Sequence, residues 1–396
     1  MSVEIIIVNW NNRRETLECI AAAEPQAREA GGTTITVVDN GSSDGSAEAV
    51  AARHPEVKLF ALPENRGFTG GLHAALAGSV ADYVIFLNND AVPEPGWLAA
   101  LIGAIERAPE DVLSVGGKIV SLDGKMIDFI GGVLTFDGHG FQSGFRYPIG
   151  SRAEPGSGTE ILFACGGNMI SRRRPLMELG GFDDDYFAYL EDVDFGWRSW
   201  IAGYRVVFEP DAVVRHASSL TSNRLGDFER GVLFERNALQ TAMKNYEDLA
   251  ASGAPVLLTY LHRLQHYATQ RNPRATELTR APFAGRSAHA AAPGLLQRIL
   301  RKLVGRKPLA AIDDPLTTMQ FRALDWIFRN DARIAEKRRR VQQSRKRSDR
   351  DIFTRFPIHF VPTYPGDTAL MSSPLFALFR TDLPSTEKQL AEIIRP

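Results

Sequence analysis

The stretch from Tyr83 to Pro93, YVIFLNNDAVP, constrains this chain more than any other. Tyr83 to Leu87 is an unbroken run of aromatic, β-branched and aliphatic residues. That is the composition of a strand buried on both faces, as in a parallel sheet covered by helices. The run stops at Asn88, Asn89 and Asp90, which places hard oxygen donors at the strand's carboxyl end. In open α/β sheets ligands occupy the crevice outside that edge, and a carboxylate there can hold Mg²⁺ or Mn²⁺ against a diphosphate.

The rest of the first half repeats the alternation of strand and helix that a parallel sheet requires. Strands are expected near Val3 to Val8, Thr34 to Val38, Val57 to Ala61, Tyr83 to Leu87 and Val112 to Val115. Helices are expected near Arg14 to Ala30, Ser46 to Arg53, Gly70 to Val80 and Gly96 to Arg107. Between Gly116 and Gly167 the chain turns glycine-rich, as in GGKIVSLDGK and GGVLTFDGHG, which predicts short antiparallel strands and an acceptor-side insertion. A strand at Asn168 to Ser171, a helix around Pro175 to Leu179 and a helix from Glu191 to Ala202 follow. Arg205 to Phe208 and Ala212 to Val214 read as closing strands.

Beyond them, helical spacing covers Asp227 to Leu249, Val256 to Ala268 and one long segment from Met319 to Arg347. The stretch RNPRATELTRAPFAGRSAHAAAPG between these helices has a linker's composition. A length of 396 residues suggests roughly two to three units, and the net charge of −1 gives no overall pull toward nucleic acid. Cys19 and Cys165 lack CxxC spacing and are too few for a disulfide framework, which favours a reducing cytoplasm. VEIIIV behind Met1 reads as a strand rather than an export leader. No apolar run approaches the roughly 18 residues that a spanning helix needs.

Three strands deliver polar residues to one sheet edge: Asn9 and Trp10, Asp39 and Asn40, and Asn88 to Asp90. An acid closing the second strand suits a ribose hydroxyl or a base edge, but in a nicotinamide-binding fold it would follow GxGxxG. Here NWNNRRET follows the first strand, and a Walker loop is also absent, so a dehydrogenase and a P-loop enzyme are both disfavoured. VVDNGSSDGS is equally the makings of a helix cap with a glycine turn. PENRGFTGGLHAAL offers Asn65, Arg66, Gly67 and Gly71 beside a nucleotide, or a plain tight turn.

VNWNN, VVDNGSSDGS, ENRGFTGG, FLNNDAVP, GGFDDDYFAYLEDVDFGWR and VVRH occur in this order. Together they resemble the family 2 glycosyltransferases of GT-A fold, particularly the rhamnosyltransferase-like branch, over roughly residues 3 to 245. The resemblance implies a Rossmann-like mixed sheet and a nucleotide-sugar donor site. Asp39 would contact base or ribose, with Asn9, Trp10 and Asn40 at the pocket wall and Asn65, Arg66, Gly67 and Gly71 along the donor. Asp90 would ligate Mg²⁺ or Mn²⁺ as the last acid of a DXD-like triplet in which Asn88 and Asn89 leave one charge fewer. His216 would complete the metal shell, or is simply structural. Asp192 would be the base of an inverting single displacement, its charge favoured by a helix amino terminus. Glu191, Asp192 and Asp194 are also what an acidic first helical turn contains. Glu191, Trp197 and Gly167 would lie on the acceptor side and Arg198 near the donor phosphates, although Trp197 and Arg198 suit a helix surface or core as well.

The expected organisation is a catalytic domain over residues 1–250 and a helical C-terminal extension over 251–396. The expected reaction moves rhamnose from dTDP-rhamnose to a cell-surface polysaccharide or lipid-linked glycan. A UDP-hexose transferase of galactose type and a non-catalytic nucleotide-sugar-binding module are the alternatives. An apolar stripe at Phe321, Leu324, Ile327 and Phe328, followed by the basic run Arg333 to Arg350, fits a helix lying on the anionic inner face of the cell membrane. It fits a helix packed on the catalytic domain equally well. The run lacks the interleaved aromatics of a nucleic-acid site. Nothing in the sequence specifies a homodimer, though a second copy remains open as a partner.

Overall fold

The computed structural model describes residues 1–217, 226–269 and 315–386. The composition-defined linker, residues 271–294, lies outside them. The hydrophobic runs become a ten-stranded mixed sheet. Its parallel half pairs β1 (Val3–Asn9) with β2 (Thr33–Asn40) and β4 (Tyr83–Asn88), and β2 with β3 (Lys58–Leu62). Every residue of β1 is buried, as a central strand covered on both faces must be. Helices α1 (Arg13–Ala30), α2 (Ser46–Arg53), α3 (Gly67–Gly78) and α4 (Trp97–Arg107) make the crossovers and cover the faces. Gly71 lets α3 lie close on β1, because a Cβ there would meet the Val8 side chain at 2.6 Å.

The second half of the sheet is organised around the edge of β4. Short β5 (Ala91–Pro93) leads to β6 (Val112–Ser121), and β7 (Ile127–Phe129) folds back on β6. A separate hairpin joins β8 (Gly132–Leu134) to β9 (Gly140–Gln142). Two-residue β10 (Thr159–Glu160) is followed by β11 (Asn168–Arg172), which runs antiparallel between β4 and β6. The expected closing strands are one strand, β12 (Arg205–His216), irregular between Glu209 and Val213 where Pro210 interrupts the ladder. Its end pairs with β5, setting His216 opposite Ala91.

Between these strands come α5 (Arg173–Glu178) and α6 (Glu191–Ile201), followed by α7 (Asp227–Asn245) and α8 (Leu249–Thr269). The last two depart from the helical spacing because Asp248 acts as a cap, its Oδ1 accepting from the backbone of Ala250 (2.9 Å) and Ala251 (3.0 Å). One helix therefore ends, and the next begins, earlier than periodicity suggests. The long helix expected over Met319 to Arg347 is two, α9 (Pro315–Arg329) and α10 (Asp331–Gln343), with Asn330 at the break donating from Nδ2 to the Trp326 carbonyl (2.8 Å). Short helices α11 (Asp349–Arg355), α12 (Asp367–Met371) and α13 (Pro374–Phe379), and a small ladder of β13 (Ile358–His359) with β14 (Ser385–Thr386), complete the described chain.

One continuous apolar core runs from Val3 and Ile85 through Trp197 to Ile334, Phe353, Phe360 and Phe376. Residue 250 lies inside α8, and the helices beyond it share that core. Much of the late basic run turns inward. Arg338 donates to the carbonyls of Met243, Tyr246 and Glu247, Arg345 to that of Asn245, and Arg347 to that of Tyr204. Arg338 and Arg345 thereby cap the end of α7, where unsatisfied carbonyls attract positive charge, while Arg347 binds the chain just past α6. Among the described residues no helix is long and apolar enough to cross a membrane.

Candidate active site

The carboxyl edge of β1, β2 and β4 carries its polar residues in two layers. In the lower layer Asn9 donates from Nδ2 to Asp39 Oδ2 (2.9 Å) and accepts at Oδ1 from Thr16 Oγ1 (2.8 Å) and Asn89 Nδ2 (3.0 Å). Asn9 and Asp39 are buried and brace the edge from below. Asn40 holds the next loop, donating to Asn65 Oδ1 (3.0 Å) and to the Gly67 carbonyl (2.8 Å). Above this layer opens a cavity of about 340 Å³. Trp10, Asn40, Asn65, Gly67, Asn88, Asn89, Asp90, Gly167, Glu191, Asp192 and His216 all line it, so residues from seven separate segments meet at one place.

Six expected site residues do not line it: Asn9 and Asp39 lie in the layer beneath, too buried to meet a donor directly, and four lie elsewhere. The Arg66 guanidinium lies toward Glu64 (3.9 Å), and Gly71 faces Val8. Trp197 is fully buried against Tyr246 (5.0 Å between rings) and Phe353 (5.4 Å), and Arg198 is bound to Asp194 (2.7 Å) and to the carbonyls of Leu179 (2.8 Å) and Gly181 (2.7 Å). At roughly 100° per residue they sit about 140° and 120° around the helix from Asp192, on either side of its far face. Their proximity to Asp192 in sequence therefore does not bring them to the cavity, and they are core and bracing residues.

On one wall, Asp90 Oδ1 lies 3.0 Å from His216 Nε2, and His216 Nδ1 lies 2.9 Å from Asp128 Oδ2. Burial alone would lower the imidazole's pKa, but hydrogen bonds to Asp128 and Asp90 outweigh it and lift it to about 10. Asp128, on β7, was not singled out from the sequence; its one signal is an acid between the apolar Ile127 and Phe129 in a glycine-rich region. The donor set suits a divalent cation. Neighbouring ligands of a six-coordinate ion at about 2.1 Å lie roughly 3 Å apart, as Asp90 and His216 do here. A carboxylate on the far nitrogen is the usual partner of a ligating histidine.

Asp192, lining the same cavity, stands in the first turn of α6. Its Oδ2 accepts from the backbone of Gly166 (3.2 Å) and its Oδ1 from that of Val193 (2.8 Å). Burial outweighs these bonds and raises its pKa, so the helix terminus does not dominate as the sequence reading expects. Burial, followed by the charge of Asp192, pushes Glu191 to about 8. Both carboxyls are thus shifted upward, and Glu191 is favoured in its protonated form by burial and by the charge of Asp192. Leading into α6, Phe187, Tyr189 and Leu190 all have positive φ (64°, 71° and 62°). Each costs about 1–3 kcal/mol for a residue with a side chain.

Aromatic side chains form the remaining wall: Phe68, Phe129, Phe141, Phe163, Phe187 and Phe234. Phe129, Phe141 and Phe163 come from the segment expected as an insertion and Phe234 from α7, where no motif marks them; Phe68 and Phe187 lie inside the recognised motifs. Asp183, Asp184 and Asp185 form a second acidic group, with ligand atoms within 4.8 Å of one another. It lies outside this cavity, and Lys337 contacts all three carboxylates while Lys244 and Arg333 pair with members of the group. Its charge is already met by cations of the chain.

The model of glycosyl transferase family 2 matches residues 4–180. The N-acetylglucosaminyl-diphospho-decaprenol L-rhamnosyltransferase of Mycobacterium tuberculosis is 31% identical over 215 residues, covering 48% of this chain and 68% of that protein. The chain belongs to glycosyl transferase family 2. The pre-mycofactocin glycosyltransferase of Mycobacterium tuberculosis is 28% identical over 188 residues, 47% of this chain and 37% of that protein. In three dimensions, GalNAc-T7, crystallised with UDP, GalNAc and Mn²⁺, aligns with a TM-score of 0.51 at 14% identity over 69% of this chain and 52% of that one. This likeness bears on fold alone, and the fold of this family 2 member is GT-A: a mixed α/β sheet with a helical C-terminal region.

Proposed function

We propose that this chain is an inverting sugar transferase, moving rhamnose from dTDP-rhamnose to a hydroxyl of a lipid-linked or cell-surface glycan at the cytoplasmic face of the membrane. One observation carries the reading: Asp90, His216 and Asp192 all line a single cavity. A donor on the loop of Trp10, Asn40, Asn65 and Gly67 would place its diphosphate toward Asp90 and its sugar toward Asp192. Asp90 and His216 would hold Mg²⁺ or Mn²⁺, the imidazole having lost its proton. Bound there, the cation would offset charge gathering on the leaving diphosphate. Asp192 would accept the proton of the incoming hydroxyl as that oxygen attacks the anomeric carbon, which inverts the centre. The aromatic wall would receive the apolar faces of the acceptor sugar. The rhamnosyl group and the lipid-diphosphate acceptor are those in the name of the mycobacterial relative.

The test has two parts. Thermal shift with Mn²⁺ against UDP-, dTDP- and GDP-sugars is predicted to give its largest rise with dTDP-rhamnose, since a ligand of the folded form alone raises the melting point with its affinity. Proton NMR of the first product formed is predicted to give the inverted anomer. A larger rise with a UDP-hexose would replace the donor, and a retained anomer would remove the single displacement.

A further inference from the structure

The backbone just before Asp192 is held in a conformation it would not adopt by itself. Tyr186, Phe187 and Ala188 close a γ-turn: Phe187 has φ 64° and ψ −61°, and the Ala188 amide donates to the Tyr186 carbonyl at 2.7 Å. This form is the rare, strained one for an L-residue. Tyr189 and Leu190 follow, also with positive φ. Such a segment persists only where its surroundings over-determine it.

Those surroundings centre on one side chain. Asn237 of α7 is fully buried, and its Nδ2 lies 3.0, 2.8 and 2.7 Å from the carbonyls of Tyr186, Ala188 and Tyr189. Its Oδ1 accepts from Gln240 Nε2 (3.0 Å) and Arg236 Nε (3.0 Å), which fixes which way the amide faces. Arg236 adds bonds to the carbonyls of Asp185 (2.7 Å) and Tyr186 (2.9 Å) and lies over the Trp326 ring of α9 (4.4 Å). Outside, Lys337 of α10 pairs with Asp183, Asp184 and Asp185 at the start of the same segment. With its carbonyls gathered onto α7, the segment lines the transfer cavity with Phe187, Ala188, Tyr189 and Leu190, directly followed by Glu191 and Asp192.

We propose that Asn237 is a positioning residue for transfer: it holds the Tyr186–Leu190 turn, and through it Asp192, in register with the sugar, with Lys337 of the extension anchoring the turn from outside. The proposal rests on Asp192 being the base.

Asn237→Ala and Asn237→Asp test it in the full chain, by hydrogen exchange and by steady-state kinetics. The Asp variant keeps the volume but replaces the donor with an acceptor facing three carbonyls, so it separates hydrogen bonding from packing. Both are predicted to speed exchange over residues 184–190 while the β1 and β4 peptides stay protected. Both are also predicted to lower kcat at least tenfold with the donor KM within twofold, the Asp variant at least as much as the Ala variant. Wild-type kcat in a folded Asn237→Asp protein, or unchanged exchange over 184–190, overturns the proposal. Should both variants fail to fold, Lys337→Met is predicted to raise exchange in the same peptide with a smaller fall in kcat, and unchanged exchange there also overturns it. Exchange needs no donor, so absence of wild-type turnover with dTDP-rhamnose, which would sink the donor reading, is read out separately.

Discussion

Glu191 and Asp192 are neighbouring carboxyls facing one cavity, and burial divides their roles. Burial and the charge of Asp192 push Glu191 up to about 8, which favours its protonated form. Glu191→Gln copies the proton-bearing form and is predicted to keep transfer within a few-fold at pH 7. Loss of transfer in that variant would move the base to Glu191. The base works only when ionised, and burial raises the pKa of Asp192 above its ordinary 3.8. The rate should therefore fall on the acid side as pH drops through a value above 3.8, and a pH–rate profile whose acid limb lies at or below it would contradict the assignment. At this scale the sequence was legible where a residue closes a strand or opens a helix, as Asp90, Asp192 and His216 do. Trp197 and Arg198 were misplaced because nearness along a helix says nothing about its faces. Asp128 was missed because its partner His216 lies 88 positions away and is met only through sheet pairing.

The β8–β9 hairpin is tied to the helices behind it by a buried charge cluster that no motif announces. His139 lies 3.1 Å from Asp137 and 3.2 Å from Glu235, and Arg263 reaches Asp137 (2.9 Å) and Asp367 (2.8 Å). Burial alone would lower the pKa of His139, but Asp137 and Glu235 outweigh it and raise it from 6.5 to about 9. A raised folded pKa means the contribution to stability is complete below 6.5 and is lost as pH rises through 9. Melting temperature should thus fall between those values, and His139→Gln should flatten the slope. Equal slopes in the two proteins would show that the imidazole is not charged. Glu235, held down to about 2 by the charges of His139 and Arg263 despite its burial, contributes in the opposite window, losing its share only as pH falls toward 2. The parallel strands were legible because burial on both faces demands unbroken apolar runs. The break at Asn330 and the start of α8 were not, since a side chain capping the backbone interrupts helices whose periodicity continues.

Across the whole molecule the helices beyond residue 250 complete the catalytic half. They share its core, their cations cap α7, and Lys337 reaches the segment leading into the cavity. Arg263 is the buried link, and Arg263→Met takes the counter-charge from Asp367 and leaves Asp137 with His139 alone. A loss of about 3–5 kcal/mol in chemical denaturation is expected, as when one partner of a buried ion pair is removed; a loss below about 1 kcal/mol would mean the cluster carries little of the stability. The basic run was visible in the sequence, but composition cannot tell a cation facing lipid from one facing a helix terminus. The central claim is that Asp192 takes the proton of the attacking hydroxyl while donor and cation bind without it. Asp192→Asn tests it most directly, with Mn²⁺-dependent donor binding and sugar transfer measured on the same protein. Wild-type donor affinity with transfer below detection is the predicted result; turnover at the wild-type rate would contradict it.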